Sequence, residues 1–355
     1  ERIKRIMAYT TVNKSSSFQN QVLYTGNSSA RTISGVGFQP DLTWIKVRDG
    51  TYWHQLTDSV RGNNYQIASN SNGLGGSSST GITSWNSDGF ALGSNTDFNN
   101  NTYSFVSWNW KAGTAVSGNT GGSGTYKTYT GSVNTTSGFS IIKYTGNGTL
   151  GHTIPHHLGV APSMMIIKII AGDTSDWYVY HKSLGNTGIL FLSAANAASN
   201  SNAYWNSTTP TSSSFTVGDQ TGNNSNNNTF ISYNFAEVPG FSKFGSYTGN
   251  GNADGPFVYT GFKPAFVLIK NSSQNNGWWQ MTDNARNPFN VVEKAIFSNV
   301  TDSEYDSGNY ATDFVSNGFK LRNSTAGSNV NGDVYIYMAF GQTIVGTNNI
   351  PNNAE

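Results

Sequence analysis

Chemistry in this chain would have to come from few residues. Its 355 positions hold five histidines, 19 acidic residues and no cysteine. Three of the histidines, His152, His156 and His157, crowd into the segment His-Thr-Ile-Pro-His-His. Imidazoles gathered on one turn could ligate zinc or nickel, or respond to pH, but no carboxylate or thiol stands at ligand spacing beside them. An exposed polar turn is the plainer reading, and no metal or cofactor is expected. Asp58-Ser-Val-Arg61 and Asp283-Asn-Ala-Arg286 could clamp an anion or a sugar. The plainer reading is a local ion pair closing a turn, of little energetic value if exposed. The Asn-rich turns 99–101 and 223–228 offer amide oxygens to calcium, yet only Asp97 and Asp219 stand near them, and calcium sites concentrate carboxylates.

Aromatic pairs offer a different chemistry, because flat rings cover the apolar C–H faces of sugars. Trp53-His54, Trp177-Tyr178 and Trp278-Trp279 each follow a strand-like run ending in lysine. The first member is tryptophan every time, which points to core packing. The second member lies on the opposite face of a strand. His54, Tyr178 and Trp279 are therefore the candidate ligand-binding residues, joined by Trp85 and Trp205 near loops. No glycine-rich loop precedes a helix to cradle phosphate. The acidic residues show no glycosidase pairing, and abundant serine does not make a triad. The expectation is a protein that is not an enzyme.

The elements that must hold these residues are repeated. YTGN, a Gly-rich turn, a hydrophobic-plus-proline step and an apolar strand ending in lysine recur from Tyr24 to Lys46, Tyr144 to Lys168 and Tyr247 to Lys270. Closing aromatic strands follow at Phe105–Trp110, Phe230–Phe235 and Tyr335–Phe340. A repeat this long outranks any short motif as evidence of architecture. Each unit of about a hundred residues is of domain size and contains some eight strand-length apolar runs separated by Gly, Asn, Ser and Pro. The expected fold is all-β: three tandem β-sandwich domains of jelly-roll or concanavalin-like type. The expected boundaries are 18–112, 139–238 and 239–342, with a lead-in over 1–17, a Gly/Ser/Thr-rich connector over 113–138 and a tail over 343–355. The connector is either flexible or contributes a strand near Thr125–Val133. Runs such as MMIIKII and AFVLIK read as central strands, whereas FISYNF and YIYMAF alternate and are expected to show one face to solvent.

Composition narrows the function. Aromatic residues make up 13% and charged residues only 11%, so aromatic strands alternate with small polar turns. A net charge of +1 supplies no field for a polyanion, which argues against nucleic acid as a partner. No stretch has the apolar length of a membrane span. The opening ERIKRIMAYTT has charges without a following apolar segment, so no secretory signal is expected. Met7 reads as the natural beginning, with Glu1–Ile6 as upstream sequence.

The series YTGN, GVGFQPD, WIK, DSVRG, NSDGFALG and WNWKAG, then TIPHHLGVAP, YHKSLG and FAEV, then FVYTGFKPAFVLIK, DNARNPFNVV, FKLRNS and YIYMAF, resembles a family of marine tailed-phage virion proteins. These are tail-fibre or appendage-type structural proteins with lectin-like sandwich repeats. The resemblance runs from about Met7 to Gln342 and brings no catalytic residues with it. It implies a virion protein made in the host cytoplasm, working beside other virion proteins and copies of itself, with a trimer as the default. A tail-fibre role touching a host glycan or receptor is the leading expectation. A capsid or tail decoration protein with no ligand beyond its neighbours is the alternative, and a polysaccharide depolymerase is a third reading.

Overall fold

A computed structural model describes residues 10–325 and 327–343. Met7 and nearly all of the expected tail lie outside the described residues. The chain is all-β, and the repeat is visible in its sheets. In the first copy a six-stranded antiparallel sheet runs in the order Gln19–Thr25, Ser104–Trp110, Leu42–Val47, Gln55–Asp58, Tyr65–Ala68, Gly76–Ser77. A three-stranded sheet, Arg31–Ser34, Gly89–Leu92, Ile82–Asn86, packs on one of its faces. The third copy repeats this order with Ser242–Thr248, Val334–Gly341, Pro264–Asn271, Trp279–Asp283, Lys294–Phe297 and Tyr305–Asp306. The sandwiches are thus unequal, six strands against three.

The second copy differs because the connector joins it. Thr114–Asn119 and Thr128–Asn134 pair as a hairpin and extend the large sheet to eight strands beside Phe139–Thr145. Gly121–Gly122 adds to the small sheet beside His152–Pro155. The connector is structure, as the strand-adding alternative anticipated.

The YTGN signature has a physical cause. In each copy the tyrosine hydroxyl donates to a backbone carbonyl: Tyr24 to Phe98 at 2.7 Å, Tyr144 to Asn223 at 2.6 Å and Tyr247 to Ser328 at 2.7 Å. The glycine lies against the same chain segment. A Cβ on Gly26, Gly146 or Gly249 would stand 2.0, 2.3 or 2.1 Å from a carbonyl oxygen, so no other residue fits without moving backbone. The asparagine backbone N–H donates to a buried asparagine side chain, Asn99, Asn224 or Asn329, at 2.9–3.0 Å. Those buried amides in turn donate to backbone carbonyls on two sides. The Asn-rich turns read for calcium hold two of these knots, Asn99 and Asn224, whose amide nitrogens are spent on backbone carbonyls.

Each large sheet is buried on both faces. One face packs on its own small sheet, giving three separate small cores. The other faces converge into one cluster built from all three copies, including Trp44, Trp108 and Trp110, then Met164, Ile166 and Trp177, then Phe266, Leu268 and Trp279. The closing strands are therefore covered on both sides, against the expectation that one face of FISYNF and YIYMAF meets solvent. The other two copies supply the cover. At the centre the last aromatic of each closing strand meets its equivalents. Ring centroids lie 6.3 Å apart for Trp110–Phe235, 6.1 Å for Phe235–Phe340 and 6.0 Å for Trp110–Phe340. That nearly equilateral triangle marks a pseudo-threefold axis through a single chain.

Candidate functional site

Strand register assigns the aromatic pairs to their faces. Ile45, Ile167 and Ile269 hold one repeat position, and their cross-strand partners are Gln55, Tyr178 and Gln280. Their predecessors His54, Trp177 and Trp279 are therefore equivalent, and all three are buried toward the neighbouring copy. Trp177 Nε1–H donates to the Ala68 carbonyl and Trp279 Nε1–H to the Phe191 carbonyl, both at 2.9 Å. His54 takes the same place, accepting at Nδ1 from Trp44 Nε1–H at 3.0 Å, with the Phe297 backbone of the third copy acting on its ring. Burial holds its pKa well below the ordinary histidine value. Each copy thus inserts one ring into the next.

The candidate ligand residues are corrected accordingly. His54 and Trp279 are sealed in the interfaces between copies, and Tyr178 is only 7% exposed against Phe191 and Tyr204. Trp205 is buried with its Nε1–H on the Gly188 carbonyl at 2.9 Å. Trp85 is half-buried against the first small core. None of the first four offers a ring to a ligand. Trp53, read as core, is instead 46% exposed, because the true repeat alignment places it beside Asp176 and Trp278.

The histidine segment is not an exposed turn. His152 is buried between Asn224 at 2.9 Å and Thr120 at 2.6 Å. His156 accepts at Nδ1 from Leu158 N–H at 3.2 Å and reaches the Thr211 carbonyl through Nε2 at 3.1 Å. Half-buried His157 pairs with Tyr129 Oη at 2.7 Å. The three rings point to three separate partner sets, and no group of three metal-ligating side chains occurs among the described residues.

The repeated Asp-Arg pairs are local ion pairs, as the plainer reading held, but buried rather than exposed. Arg61 Nε to Asp58 is 2.5 Å and Arg286 Nε to Asp283 is 2.6 Å. Each aspartate also accepts a hydrogen bond from another copy, Asp58 from Tyr233 Oη at 2.8 Å and Asp283 from Trp108 Nε1–H at 3.0 Å. His181 occupies the equivalent place in the second copy and meets the Tyr337 carbonyl at 3.1 Å. Arg48 of the first copy pairs with Glu304 of the third, which also pairs with Arg286 of its own copy.

The lysines ending the apolar strands complete this ring of contacts. Lys46, Lys168 and Lys270 are fully buried. Lys168 donates to Asn72 of the first copy at 2.8 Å, and Lys270 to Asn196 of the second at 2.8 Å. Lys46 stays within its own copy, on the Val47 and Gly50 carbonyls. Burial lowers Lys46 and Lys168 to about 8 and Lys270 to about 7.

The first copy also bears a cleft beside Trp53. It encloses about 260 Å³ between Trp53 and the Gly75–Gly76 backbone, with Gln55, Gln66 and Asp97 on its walls. Gln55 Nε2–H donates to Asp97 Oδ2 at 2.7 Å. The side-chain oxygen of Gln66 is buried without a hydrogen-bond partner. Burial raises the Asp97 carboxyl, with Gln55 and Lys46 pulling it the other way. No residue of this cleft was singled out as a ligand residue from sequence. The missed signal was Ala68, a small residue at a position where the other copies carry Phe191 and Phe297.

A family model described as a domain of unknown function, DUF7483, matches residues 14–343. The chain belongs to that family. The DUF7483 match runs through all three copies, so the family's unit is the whole block sharing one central core. No curated protein and no solved structure matches the chain. No helix among the described residues is long and apolar enough to cross a membrane.

Proposed function

We propose that the chain is a non-enzymatic structural protein of a phage virion, placed in a tail fibre or other appendage where it contacts the host surface. The observation that carries this reading is the pseudo-threefold core, which turns one chain into a rigid three-lobed block. Such a block can meet a three-stranded fibre with similar contacts from each lobe. The loops at the lobe rims are free to vary and to touch a partner. Several copies on one particle would add weak contacts by avidity. The near-neutral, amide- and hydroxyl-rich composition suits a neutral glycan or protein receptor better than a polyanion. Its other partners are neighbouring virion proteins and further copies of itself.

The test is to image the assembled particle and locate the chain. Copies at the distal end of an appendage, with rim loops facing solvent, support the proposal. Copies tiled over the capsid or packed into a tail-tube wall make the protein a decoration and overturn host contact. A particle lacking the chain overturns the virion assignment itself.

A further inference from the structure

The three copies share one plan, so a place where one copy departs from it points to something the plan does not require. The corner behind the end of the Tyr65–Ala68 strand is such a place. In the third copy the equivalent corner is plugged by aromatic rings. Phe297 lies 4.8 Å from Trp278, 5.4 Å from Tyr305 and 5.0 Å from Tyr310, centroid to centroid. In the second copy Tyr178 fills it against Phe191 at 5.3 Å and Tyr204 at 5.7 Å. The first copy has Ala68 where those carry phenylalanine, and Gly76 where the third carries Tyr305. Gln55 matches Gln280 of the third copy and stands where the second has Tyr178, and Asp97 stands on a short helix, Thr96–Asn99, at the place of Gly222 on Thr221–Asn224. Rings have been exchanged for small residues on the floor, and a carboxylate has been added to the wall.

What remains is a cleft with one exposed indole and unspent acceptors. Asp97 engages Gln55 through Oδ2, which leaves Oδ1 to accept, whereas the Gln66 side-chain oxygen, also without a donor, is sealed from solvent. A ligand seated there must donate hydrogen bonds and lay an apolar face on Trp53. Lys46 already lies near enough to act on the Asp97 carboxyl, so a neutral donor fits better than a cation. A volume near the lower end of the range of small-molecule pockets, about 300–1,000 Å³, holds one ring rather than a chain. We propose that this cleft binds a single pyranose ring of a neutral saccharide, stacked on Trp53 with a hydroxyl donating to Asp97. The ligand's source on a host surface rests on the function proposed above, but its chemistry does not.

The experiment titrates the full chain with four probes: methyl β-glucopyranoside, methyl β-galactopyranoside, methyl α-mannopyranoside and N-acetylglucosamine. The readout is the Trp53 indole N–H resonance, assigned by its loss in Trp53→Ala. The expected result is a saturable shift with at least one probe at millimolar concentration. Ala68→Phe restores the plug carried by the other copies and is expected to weaken binding at least tenfold; Trp53→Ala, which lacks the reporter, is followed by saturation-transfer NMR of the sugar protons, with the same loss expected. Trp53 is exposed, so Trp53→Ala keeps the fold, and its thermal midpoint checks this. No shift with any probe at high millimolar concentration, or undiminished binding in both variants, overturns the proposal. Sugar binding by a chain absent from particles would sink the virion reading alone. A chain imaged on an appendage with no sugar binding would sink the cleft alone.

Discussion

Replacing Trp110 by alanine or by phenylalanine separates two properties of the central core. Trp110 is 2% exposed and touches Phe235, Phe266 and Phe340 at 5.9–6.3 Å between ring centroids. Truncation to alanine leaves a cavity on the pseudo-threefold axis and should cost about 3–5 kcal/mol. Phenylalanine is the residue already present at both equivalent positions, so it should restore most of the packing. It also removes an indole N–H that is buried with no acceptor. Relief of such an orphan donor is worth about 1–3 kcal/mol, which offsets the lost ring volume and leaves Trp110→Phe within about 1 kcal/mol of the parent. The assay is urea unfolding followed by circular dichroism, with calorimetry on the same samples. Because the cluster joins all three copies, each variant should unfold in one transition, with equal calorimetric and van't Hoff enthalpies. If phenylalanine costs as much as alanine, the tryptophan is not a plain filler of a threefold aromatic site. Two separated transitions would refute the shared core.

Three further outcomes follow from the interfaces. His156 and His181 each accept an N–H at Nδ1 and meet a carbonyl at Nε2, so the protonated ring has no place for its second proton; burial lowers both to about 4. Their unfolded pKa is higher, so the stability they contribute is full above about 6.5 and is lost as pH falls toward 4. Between pH 7.5 and 5 each should cost about 2 kcal/mol, and urea midpoints should show a shallower pH dependence in His181→Gln. An unchanged dependence would mean that this ring does not titrate in the unfolding. Asp283→Ala leaves the buried Arg286 guanidinium with Glu304 as its remaining carboxylate and orphans Trp108 Nε1–H, and should cost about 3 kcal/mol by denaturant unfolding. A cost below about 1 kcal/mol would place the pair in water. The third copy expressed alone as residues 239–342 exposes the apolar face that the others cover, and should bind a hydrophobic dye and self-associate, whereas the full chain does not. A monomeric, dye-silent fragment would show that the copies are self-sufficient domains.

Much of this fold was legible because the repeat is local. The Tyr-Thr-Gly-Asn signature, the apolar strands and the closing aromatics all belong to pairings within one copy, where the closing strand lies between the signature strand and the apolar strand. The unread parts depend on how copies meet. Alternation in FISYNF implied a solvent face because the pattern of one strand cannot show that two other sheets cover it. The three-residue histidine cluster looked exposed for a similar reason, since the Thr120 partner of His152 comes from the connector. Aligning the aromatic pairs by residue type put Trp53 with Trp177, whereas pairing against Ile45 and Ile167 makes His54 the equivalent of Trp177. An imidazole can replace an indole there because both are flat rings bearing an N–H. Residue type hides that substitution and register reveals it. Register thus makes Trp53, not His54, the exposed member of the first pair.

Fusing three copies into one chain changes what the threefold plan can do. A homotrimer must place the same residue at three related positions, so a ring that seals one interface seals all of them. Here the sealing ring is histidine in one interface and tryptophan in the other two, and the aspartate beside it becomes His181 in the second copy. Each interface can therefore be tuned separately while the aromatic axis is kept. The same freedom lets one corner lose its plug. Ala68 and Gly76 would open three clefts in a homotrimer and weaken all three small cores at once. In the single chain only the first copy bears that cost, while Phe191 and Phe297 keep the other two closed. Duplication supplies the rigid block, and divergence after fusion supplies one place on it that is free to bind.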